Sequence, residues 1–499
     1  MRTDSTSSLR AEYWLLLFVI IIAAFLRLWT LPAVPPGLYP DEAMNGNNAL
    51  EALATHDWKV FYPENNGREG LFINIQSFSL ALFGNEPWAL RLPSALFGIL
   101  TVLGIYFLTR ELFRENEHKS IIALLAAFLL ATSFWHINFS RIGFRAIMAP
   151  AFLTWGIYFL LLYLNRITTA VSKLKIRNLL FLPILAGIIY GLGFHSYIAY
   201  RATPLLVLFI IAAYWLRNKD HEVRKKVLLT SFFFILSSII VFLPLGIHFL
   251  NKPADFFGRT TQISVFNSAT PLRDLALNTA KTLGMFNFAG DYNWRHNLAG
   301  QPQLFWPVGI MFLVGVAVSI RKLTWKKGIL FAWFIVAALP VVISNEGLPH
   351  ALRAIIMIPP VFILAGIGGV WIYQFLSKKI NQQLLKTGTA LLLAIFIVQV
   401  YHAYFIRWAK NQNTAGAFAA NYVEIGRQLN ALPANQPKYV IVNAGGTDVR
   451  GFPMPAQTVM FITDTFTPVR QEVKNIHYLL PDQIEKVDIP ESAFVVPLD

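Results

Sequence analysis

The chain of 499 residues contains no cysteine, and only 14% of its residues are charged. The missing cysteine excludes disulfides, thiolate metal sites and thiol catalysis. The low charge excludes an ordinary soluble protein, in which about 25% of residues are charged. With 55% hydrophobic residues and a mean hydropathy of +0.51, the composition instead predicts a membrane protein.

The formal net charge of +15 does not require a nucleic-acid partner. In a chain this apolar, Lys and Arg on the cytoplasmic rim of membrane helices account for the positive excess. We therefore expect membrane lipids as partners, and no nucleic acid.

Apolar runs of about 20 residues predict transmembrane helices. No small-residue cleavage site follows the first run, which favours a retained anchor over a removed signal peptide. Arg27 lies inside this run, where it is either functional or snorkels to the outer interface. About eleven runs are found, at residues 13–31, 92–113, 120–137, 146–164, 179–198, 202–216, 227–249, 304–320, 328–344, 354–376 and 387–406.

The loops between these runs predict the orientation of the chain. Five alternate short loops, counted with Arg110 at the end of the preceding run, carry nineteen Lys and Arg residues, whereas the opposite short loops carry four. The positive-inside rule places the richer loops in the cytoplasm of a bacterial or archaeal cell, with the N-terminus cytoplasmic and the C-terminus extracytoplasmic.

This topology divides the chain into two expected domains. Residues 1–406 form an all-α polytopic membrane domain with long extracytoplasmic loops at 32–90 and 251–303. Residues 407–499 form a small extracytoplasmic α/β domain, with a helix at about 414–432 and strands at 438–443, 458–463 and 493–496.

The first outer loop contains the adjacent carboxylates Asp41 and Glu42 directly after a proline. Pro40 and Asp41 predict the start of a helix that continues to about residue 53, so Asp41 either caps this helix or acts as a general base. Residues 71–83 are apolar but too short to span, which predicts a helix in the membrane interface.

Several motifs resemble membrane glycosyltransferases of the C-type fold, in the branch of protein O-mannosyltransferases and the lipid A aminoarabinose transferase. The likeness covers about residues 10–405. Its motifs are YPDEA at 39–43, GREGL at 67–71, RLPSALFG at 91–98, SRIGFR at 140–145, GRT at 258–260, GDYNWRHN at 290–297 and PHALR at 349–353.

The resemblance implies the C-type glycosyltransferase fold and a sugar donor linked to polyprenyl phosphate. It implies that the carboxylate of the first outer loop, Asp41 with Glu42 beside it, lies at the reaction centre. The acceptor would be a protein, a lipid or a polysaccharide on the extracytoplasmic side.

A lipid-phosphate donor requires cations at the outer interface, because Arg can bind phosphate through two parallel hydrogen bonds. The candidates are four arginines in outer loops, with Arg141 ahead of the others; each is alternatively an interface residue that contacts lipid. They are Arg141, Arg145, Arg201 and Arg353.

A further group of polar residues is expected to bind the donor or acceptor. Some of these residues have ordinary alternatives, since a histidine can be structural and aromatic loop residues can form an interfacial belt. The candidates are Arg68, Glu69, His195, Tyr197, Arg259, Asp291, His296 and His350. Asp291 and His296 could also bind a divalent metal ion with a third ligand, but their spacing matches no compact metal motif, so the need for a metal is left open.

Taken together, the sequence predicts an inverting glycosyltransferase that moves a hexosyl or pentosyl group from a polyprenyl-phosphate donor to an acceptor hydroxyl at the extracytoplasmic face. A transporter or flippase for a lipid-linked glycan is the main alternative, although such a protein is expected to place charges at mid-bilayer. A non-catalytic glycan-binding membrane protein is the other alternative.

Overall fold

The computed structural model describes residues 3–169, 180–262 and 264–499, with the side chains of residues 3–9, 169 and 259–261 left out. The predicted substrate-binding side chain of Arg259 therefore lies outside the described part of the chain. The same holds for Lys173, Lys175 and Arg177, three of the basic loop residues.

The described chain is mainly helical up to residue 408, which confirms the all-α membrane domain predicted from the sequence. The helices of this part are α1 (Thr3–Leu28), α2 (Pro40–Thr55), α3 (Leu71–Phe83), α4 (Pro87–Leu112), α5 (Lys119–Ala131), α6 (Phe134–Phe139), α7 (Met148–Thr169), α8 (Phe181–Leu192), α9 (Pro204–Arg217), α10 (His221–Asn251), α11 (Pro253–Gln262), α12 (Pro271–Gly284), α13 (Trp306–Arg321), α14 (Trp325–Val342), α15 (Ile358–Leu376) and α16 (Gln382–Tyr401), which continues as a π-helix over His402–Trp408.

Among the described residues, eight helices are long and apolar enough to cross a membrane by length and composition. They coincide with eight of the eleven predicted spans. The other three predicted spans coincide with shorter apolar helices, Lys119–Ala131, Phe181–His195 and Trp306–Arg321. The chain is thus an integral membrane protein with a helical membrane domain.

Close helix packing at the centre of the membrane domain depends on small residues. In the pair α13 and α15, a Cβ atom on Gly315 would overlap the backbone of Leu364, and one on Gly368 would overlap the backbone of Met311. Glycine at both positions therefore lets the two backbones approach directly, as is common between membrane helices.

Two fully buried arginines stabilise helix ends. Arg27 of α1 donates to the carbonyls of Leu130 and Ala131 at the end of α5, at 3.4 and 3.1 Å. Arg141 donates to three carbonyls at and just after the end of α1. The last carbonyls of a helix lack intrahelical donors, so a cation there satisfies them and favours the helix dipole. The snorkelling alternative for Arg27 is therefore wrong.

A short hairpin separates α2 from α3. Strands β1 (Phe61–Tyr62) and β2 (Arg68–Glu69) pair antiparallel, with Phe61 opposite Glu69. The turn between them contains Asn65, Asn66 and Gly67 with φ angles of 53°, 63° and 80°. Asn and Gly tolerate this left-handed region best, so the Asn-Asn-Gly sequence accounts for the turn. The helices predicted before and after the hairpin are confirmed as α2 and α3.

The segment after residue 411 contains a three-stranded parallel sheet in the order β6-β3-β7. Its elements are α17 (Gln412–Ala417), α18 (Ala420–Ala431), β3 (Lys438–Val442), β4 (Asp448–Val449), β5 (Phe452–Pro453), α19 (Ala456–Thr463), α20 (Pro468–Lys474), β6 (Ile476–Leu479) and β7 (Phe494–Leu498). The α/β character and the first and last predicted strands are confirmed.

The strand predicted at 458–463 is wrong, because these residues form α19. The run Thr-Val-Met-Phe-Ile-Thr favours a strand by local propensity, but the helix buries Val459 and Met460 in one cluster and Phe461 in another. Burial in two directions outweighs the local preference. Strand β6 was not predicted.

Helix α19 connects this segment to α2. Gln457 accepts from the amide of Asn47 at 2.9 Å, and Thr458 donates to the carbonyl of Leu38 at 3.0 Å. Arg450 forms hydrogen bonds of 2.8 Å with both oxygens of Glu51 and with Glu64. The C-terminal segment therefore packs directly on α2, the helix that carries Asp41 in its first turn.

Candidate functional site

A cavity of about 890 Å³ opens between the α2 start, the β1–β2 hairpin and several helix ends. This volume is in the range of about 300–1,000 Å³ that is typical of small-molecule sites. Ten of the fourteen predicted site residues line it: Asp41, Arg68, Glu69, Arg145, Tyr197, Arg201, Asp291, His296, His350 and Arg353.

The two neighbouring carboxylates of α2 have different environments. Asp41 lines the cavity and accepts a hydrogen bond of 3.0 Å from the amide of Asn65 in the hairpin turn. Glu42 is fully buried and accepts from the guanidinium of Arg91 through both oxygens, at 2.9 Å each, and from the backbone N–H of Gly143 at 2.6 Å. Consecutive residues of a helix point about 100° apart, which lets Asp41 line the cavity while Glu42 points into the protein interior.

This placement favours a structural role for Glu42 over the catalytic role predicted for it beside Asp41. In the protein interior the carboxylate of Glu42 accepts from two donors of Arg91, from the N–H of Gly143 and, at 3.4 Å, from the N–H of Tyr39. This is the arrangement of a structural ion pair. Arg91 completes this pair by donating also to the carbonyls of Pro35 and Gly37.

Glu69 holds two of the predicted phosphate-binding arginines at the cavity wall. One oxygen of Glu69 accepts from Nε of Arg145 at 2.7 Å, and the other accepts from Arg201 at 3.4 Å. Arg201 also donates to the carbonyl of Phe256 at 2.8 Å and stacks on that ring at 4.3 Å. One buried carboxylate thus fixes the positions of two guanidinium groups that line the same space.

Arg68 joins the hairpin to α2. It donates to the amide oxygens of Asn45 and Asn48 at 2.7 and 2.6 Å and to the carbonyl of Glu64 at 3.2 Å. Burial, and secondarily the charge of Arg145, lower the pKa of Arg68 to about 10. Three of its donors are already used, so Arg68 is better suited to support the cavity wall than to bind a ligand through a free fork.

Arg353 lines the same cavity from the segment before α15. It donates to the carboxylate of Glu346 at 2.7 Å, to the carbonyl of Glu346 at 2.7 Å and to the hydroxyl of Ser344. The side chain of Glu346 is 61% exposed, whereas that of Arg353 is 8% exposed. An exposed carboxylate is readily displaced, so an incoming anion could replace Glu346 as the partner of Arg353.

Asp291, His296 and His350 form a compact group at the cavity. Oδ2 of Asp291 lies 2.9 Å from Nδ1 of His296 and 4.0 Å from Nδ1 of His350. The same carboxylate accepts from the backbone N–H groups of Asn293 and Ala351, at 2.8 Å each. One candidate ligand atom from each residue lies within 4.8 Å of the others, so the group could hold a metal ion.

In the described chain, Arg141 and His195 are not among the residues that line the cavity. Arg141 is fully buried, and its guanidinium donates to the carbonyls after α1 and stacks at 5.0 Å on the ring of Phe405. His195 is 8% exposed and pairs with the carbonyl of Val241 at 2.9 Å. These contacts favour a structural role for Arg141 and His195 over the predicted binding of phosphate and substrate.

Three cavity residues were missed or only noted in passing at the sequence level. Asn65 is oriented by the Asn-Asn-Gly turn, which was the one signal that could have indicated it. Arg295 stacks over the ring of Tyr39 at 4.1 Å, and Glu346 pairs with Arg353. These two contacts join distant parts of the chain, and no local pattern indicates them.

The chain resembles known proteins in one stretch of sequence and in its whole fold. Residues 71–248 match the family model of dolichyl-phosphate-mannose-protein mannosyltransferase. No curated protein matches the chain in sequence.

Among solved structures, ArnT from Cupriavidus metallidurans bound to undecaprenyl phosphate superposes with a TM-score of 0.59 and 15% identity, over 95% of this chain and 91% of that one. The oligosaccharyltransferase of Archaeoglobus fulgidus in the apo form gives a TM-score of 0.53 and 15% identity, over 95% of this chain. AglB from the same organism, in complex with an inhibitory peptide and a dolichol-phosphate, gives 0.51 and 15%, over 90% of this chain.

This chain spans 65% and 63% of the length of those two archaeal proteins. At such low identities, the superpositions establish the fold alone. The resemblance predicted from the sequence motifs is confirmed: the chain has the C-type fold of membrane glycosyltransferases, and its residues 71–248 match the O-mannosyltransferase family.

Proposed function

We propose that the protein transfers a sugar from a polyprenyl-phosphate-linked donor to an acceptor hydroxyl at the extracytoplasmic face of a bacterial or archaeal cytoplasmic membrane. The observation that carries this proposal is the shared cavity of Asp41 and five arginines. A carboxylate and several guanidinium groups around one space are what a reaction with a hydroxyl nucleophile and a phosphate leaving group requires.

Asp41 takes the proton of the acceptor hydroxyl in this proposal. Among the described residues, its carboxylate has one hydrogen bond, from the neutral amide of Asn65. It is therefore not neutralised by a direct arginine contact, in contrast to Glu42 and Glu69. A positioned general base contributes about 10²–10⁴-fold to a rate.

Arg145, Arg201 and Arg353 stabilise the departing phosphate. A guanidinium has five N–H donors, and the described hydrogen bonds of Arg145 use one of them. Arg201 uses two, to Phe256 and Glu69. The remaining donors are available to phosphate oxygens, and Glu69 keeps both groups oriented before the donor binds, which is the kind of preorganisation that lowers a barrier.

The acceptor oxygen attacks the anomeric carbon from the side opposite the phosphate. The new C–O bond forms as the bond from the anomeric carbon to the phosphate oxygen breaks, so the anomeric configuration inverts. The hydroxyl proton goes to Asp41, and the lipid phosphate leaves with the bonding electron pair.

The fold relatives support the choice of donor. The ArnT structure contains undecaprenyl phosphate, and the AglB structure contains a dolichol-phosphate, so proteins of this fold bind polyprenyl phosphates. The family of the matching segment is described as a protein mannosyltransferase that uses a dolichyl-phosphate sugar, which favours a protein acceptor.

Exchange of Asp41 for Asn tests the proposal. Cells that produce the native chain, Asp41→Asn, Asp57→Asn or no chain are compared by mass spectrometry of their envelope glycans and glycoproteins. Asp57 is an aspartate of the same segment whose side chain is 65% exposed, so Asp57→Asn is the matched control. We expect one glycan to be lost without the chain and with Asp41→Asn, at equal protein amounts, and retained with Asp57→Asn.

Retention of the glycan with Asp41→Asn would show that Asp41 is not part of the reaction centre. A transporter is distinguished by the purified protein, which would move the lipid-linked sugar between leaflets of a vesicle without cleaving it from its phosphate. If the protein only binds glycans, the purified native chain would bind the lipid-linked sugar and leave it uncleaved.

A further inference from the structure

We infer that Asp291, His296 and His350 form a binding site for one divalent transition-metal ion, with Zn²⁺ as the best match. The inference concerns metal binding and does not depend on the proposed sugar transfer. It starts from the cluster of these three side chains at the cavity wall.

The donor set is the first argument. Two imidazoles and one carboxylate are the protein ligands of many catalytic zinc sites, in which a fourth position remains open to water or substrate. Two nitrogen ligands disfavour Mg²⁺ and Ca²⁺, which prefer oxygen. Since the chain contains no cysteine, imidazole and carboxylate are also the strongest transition-metal ligands available to it.

The distances are the second argument. Ligand atoms at about 2.0–2.2 Å from a tetrahedral ion lie about 3.4 Å from one another. Oδ2 of Asp291 lies 2.9 Å from Nδ1 of His296 and 4.0 Å from Nδ1 of His350, so the two distances bracket this value. The imidazole rings lie side by side, with centroids 4.9 Å apart and planes inclined by 33°. All three ligand atoms lie within 4.8 Å of one another, so shifts of about 1 Å would bring them to a common ion.

The surroundings of the carboxylate are the third argument. Asp291 is 3% exposed and accepts from the backbone N–H groups of Asn293 and Ala351, at 2.8 Å each. These two bonds join the loop before α13 to the loop before α15, and the indole of Trp135 donates to the carbonyl of Ala351 at 3.0 Å. Such outer contacts fix the orientation of a ligand and are typical of metal sites.

His350 has the weakest contact with Asp291 and is the most informative ligand to change. The described hydrogen bond at its Nδ1 is a long one, 3.4 Å, from the backbone N–H of Arg353. The open position of the site faces the cavity, because all three side chains line it.

Zinc binding by the purified full-length chain is the first test. The protein in detergent is stripped with a chelator, exposed to Zn²⁺, separated from free ion and analysed for metal, and its affinity is measured by competition with a chromophoric chelator. We expect about one Zn²⁺ per chain and an affinity at least about 100-fold lower for His296→Ala and His350→Ala. His248→Ala is the matched control, because His248 also pairs with an aspartate, Asp255 at 2.8 Å, but outside this cluster.

A thiol at position 350 provides the second test, which does not rely on loss of binding. The chain has no other cysteine, so a thiolate-to-cobalt charge-transfer band with Co²⁺ can arise only from the introduced residue. We expect this band for His350→Cys and not for His248→Cys. No zinc bound by the native chain, equal zinc affinity of the native and His350→Ala proteins, or no band with His350→Cys would each overturn the inference.

Discussion

The carboxylate of Glu69 accepts a hydrogen bond of 2.7 Å from Nε of Arg145. Its second oxygen accepts from Arg201 at 3.4 Å. This buried acid therefore orients two cations that come from different parts of the chain and line the same cavity. Glu69 follows Arg68 in the GREGL motif. This one short motif therefore supports the cavity wall through Arg68 and orients Arg145 and Arg201 through Glu69.

Glu69→Gln is expected to weaken donor binding through this relationship. The neutral amide cannot balance two guanidinium groups, so Arg145 and Arg201 repel each other and lose their orientation. Since both arginines are about one fifth exposed, we expect a loss of about 1–3 kcal/mol in folding stability. The donor KM should rise more than kcat falls, as measured by initial-rate kinetics beside a thermal melt. An unchanged donor KM would contradict the role given to Glu69.

Arg145→Gln and Arg141→Gln are expected to differ, although the two positions are only four residues apart. Arg145 lines the cavity and uses one of its five donors in the described hydrogen bonds. A hydrogen bond to a charged group contributes about 1.5–3 kcal/mol, so loss of Arg145 should weaken donor binding about 10–100-fold. Arg141 binds the carbonyls of Leu26, Trp29 and Val34, so its loss should lower the melting temperature and leave donor affinity of the folded protein unchanged. Loss of donor affinity with Arg141→Gln and not with Arg145→Gln would show that Arg141 is the phosphate ligand.

Glu42→Gln is expected to destabilise the fold. The fully buried ion pair with Arg91 is lost, and breaking such a pair costs about 3–5 kcal/mol because a buried charge remains uncompensated. The double variant Glu42→Gln with Arg91→Gln should lose less stability than the two single variants added together. Unfolding in detergent, followed by tryptophan fluorescence, measures both effects. Strictly additive losses would show that the two residues do not act as a pair.

Acidification is expected to loosen the contact between the C-terminal segment and the hairpin. Burial by itself would raise the pKa of Glu64, but the hydrogen bond and charge of Arg450 hold this pKa below its usual value of 4.5. A lowered pKa contributes stability that is present above 4.5 and is lost as the pH falls through the lowered value. Arg450 is 39% exposed, so the contribution should stay below about 1 kcal/mol.

Hydrogen exchange of the loop around Arg450 measures this effect. Protection should fall between about pH 5 and about pH 3 in the native protein. Arg450→Gln should exchange faster at neutral pH and lose most of that pH dependence. Equal exchange of the two proteins at neutral pH would show that these ion pairs do not hold the segment.

Labelling of single cysteines tests the membrane orientation, because the native chain contains none. Asp57 in the first outer segment and Lys322 between α13 and α14 are both exposed to solvent in the structure. In intact cells, a membrane-impermeant maleimide should label Asp57→Cys and leave Lys322→Cys unlabelled until the membrane is opened. The reverse labelling would place the cavity in the cytoplasm.

The helical membrane domain could be predicted from the sequence, because apolar runs of this length have few stable alternatives to a helix. The motifs also indicated the C-type fold and the residues that converge at the cavity, such as Asp41, Arg145 and Asp291. The strand predicted at 458–463 failed because the burial of α19 against α2 is a long-range effect.

Composition and local pattern determined that this protein is embedded in a membrane, where it is helical, and which polar groups gather at its helix ends. Only the tertiary structure decided which of two adjacent carboxylates faces the cavity and which of two nearby arginines stabilises a helix end. The physical reason is that a buried charged group is stable only beside a partner that neutralises it or donates to it. The partners of Glu42 are Arg91 and Gly143, which lie 49 and 101 residues away in the sequence. Partners so far apart in the chain leave no local signal in the sequence.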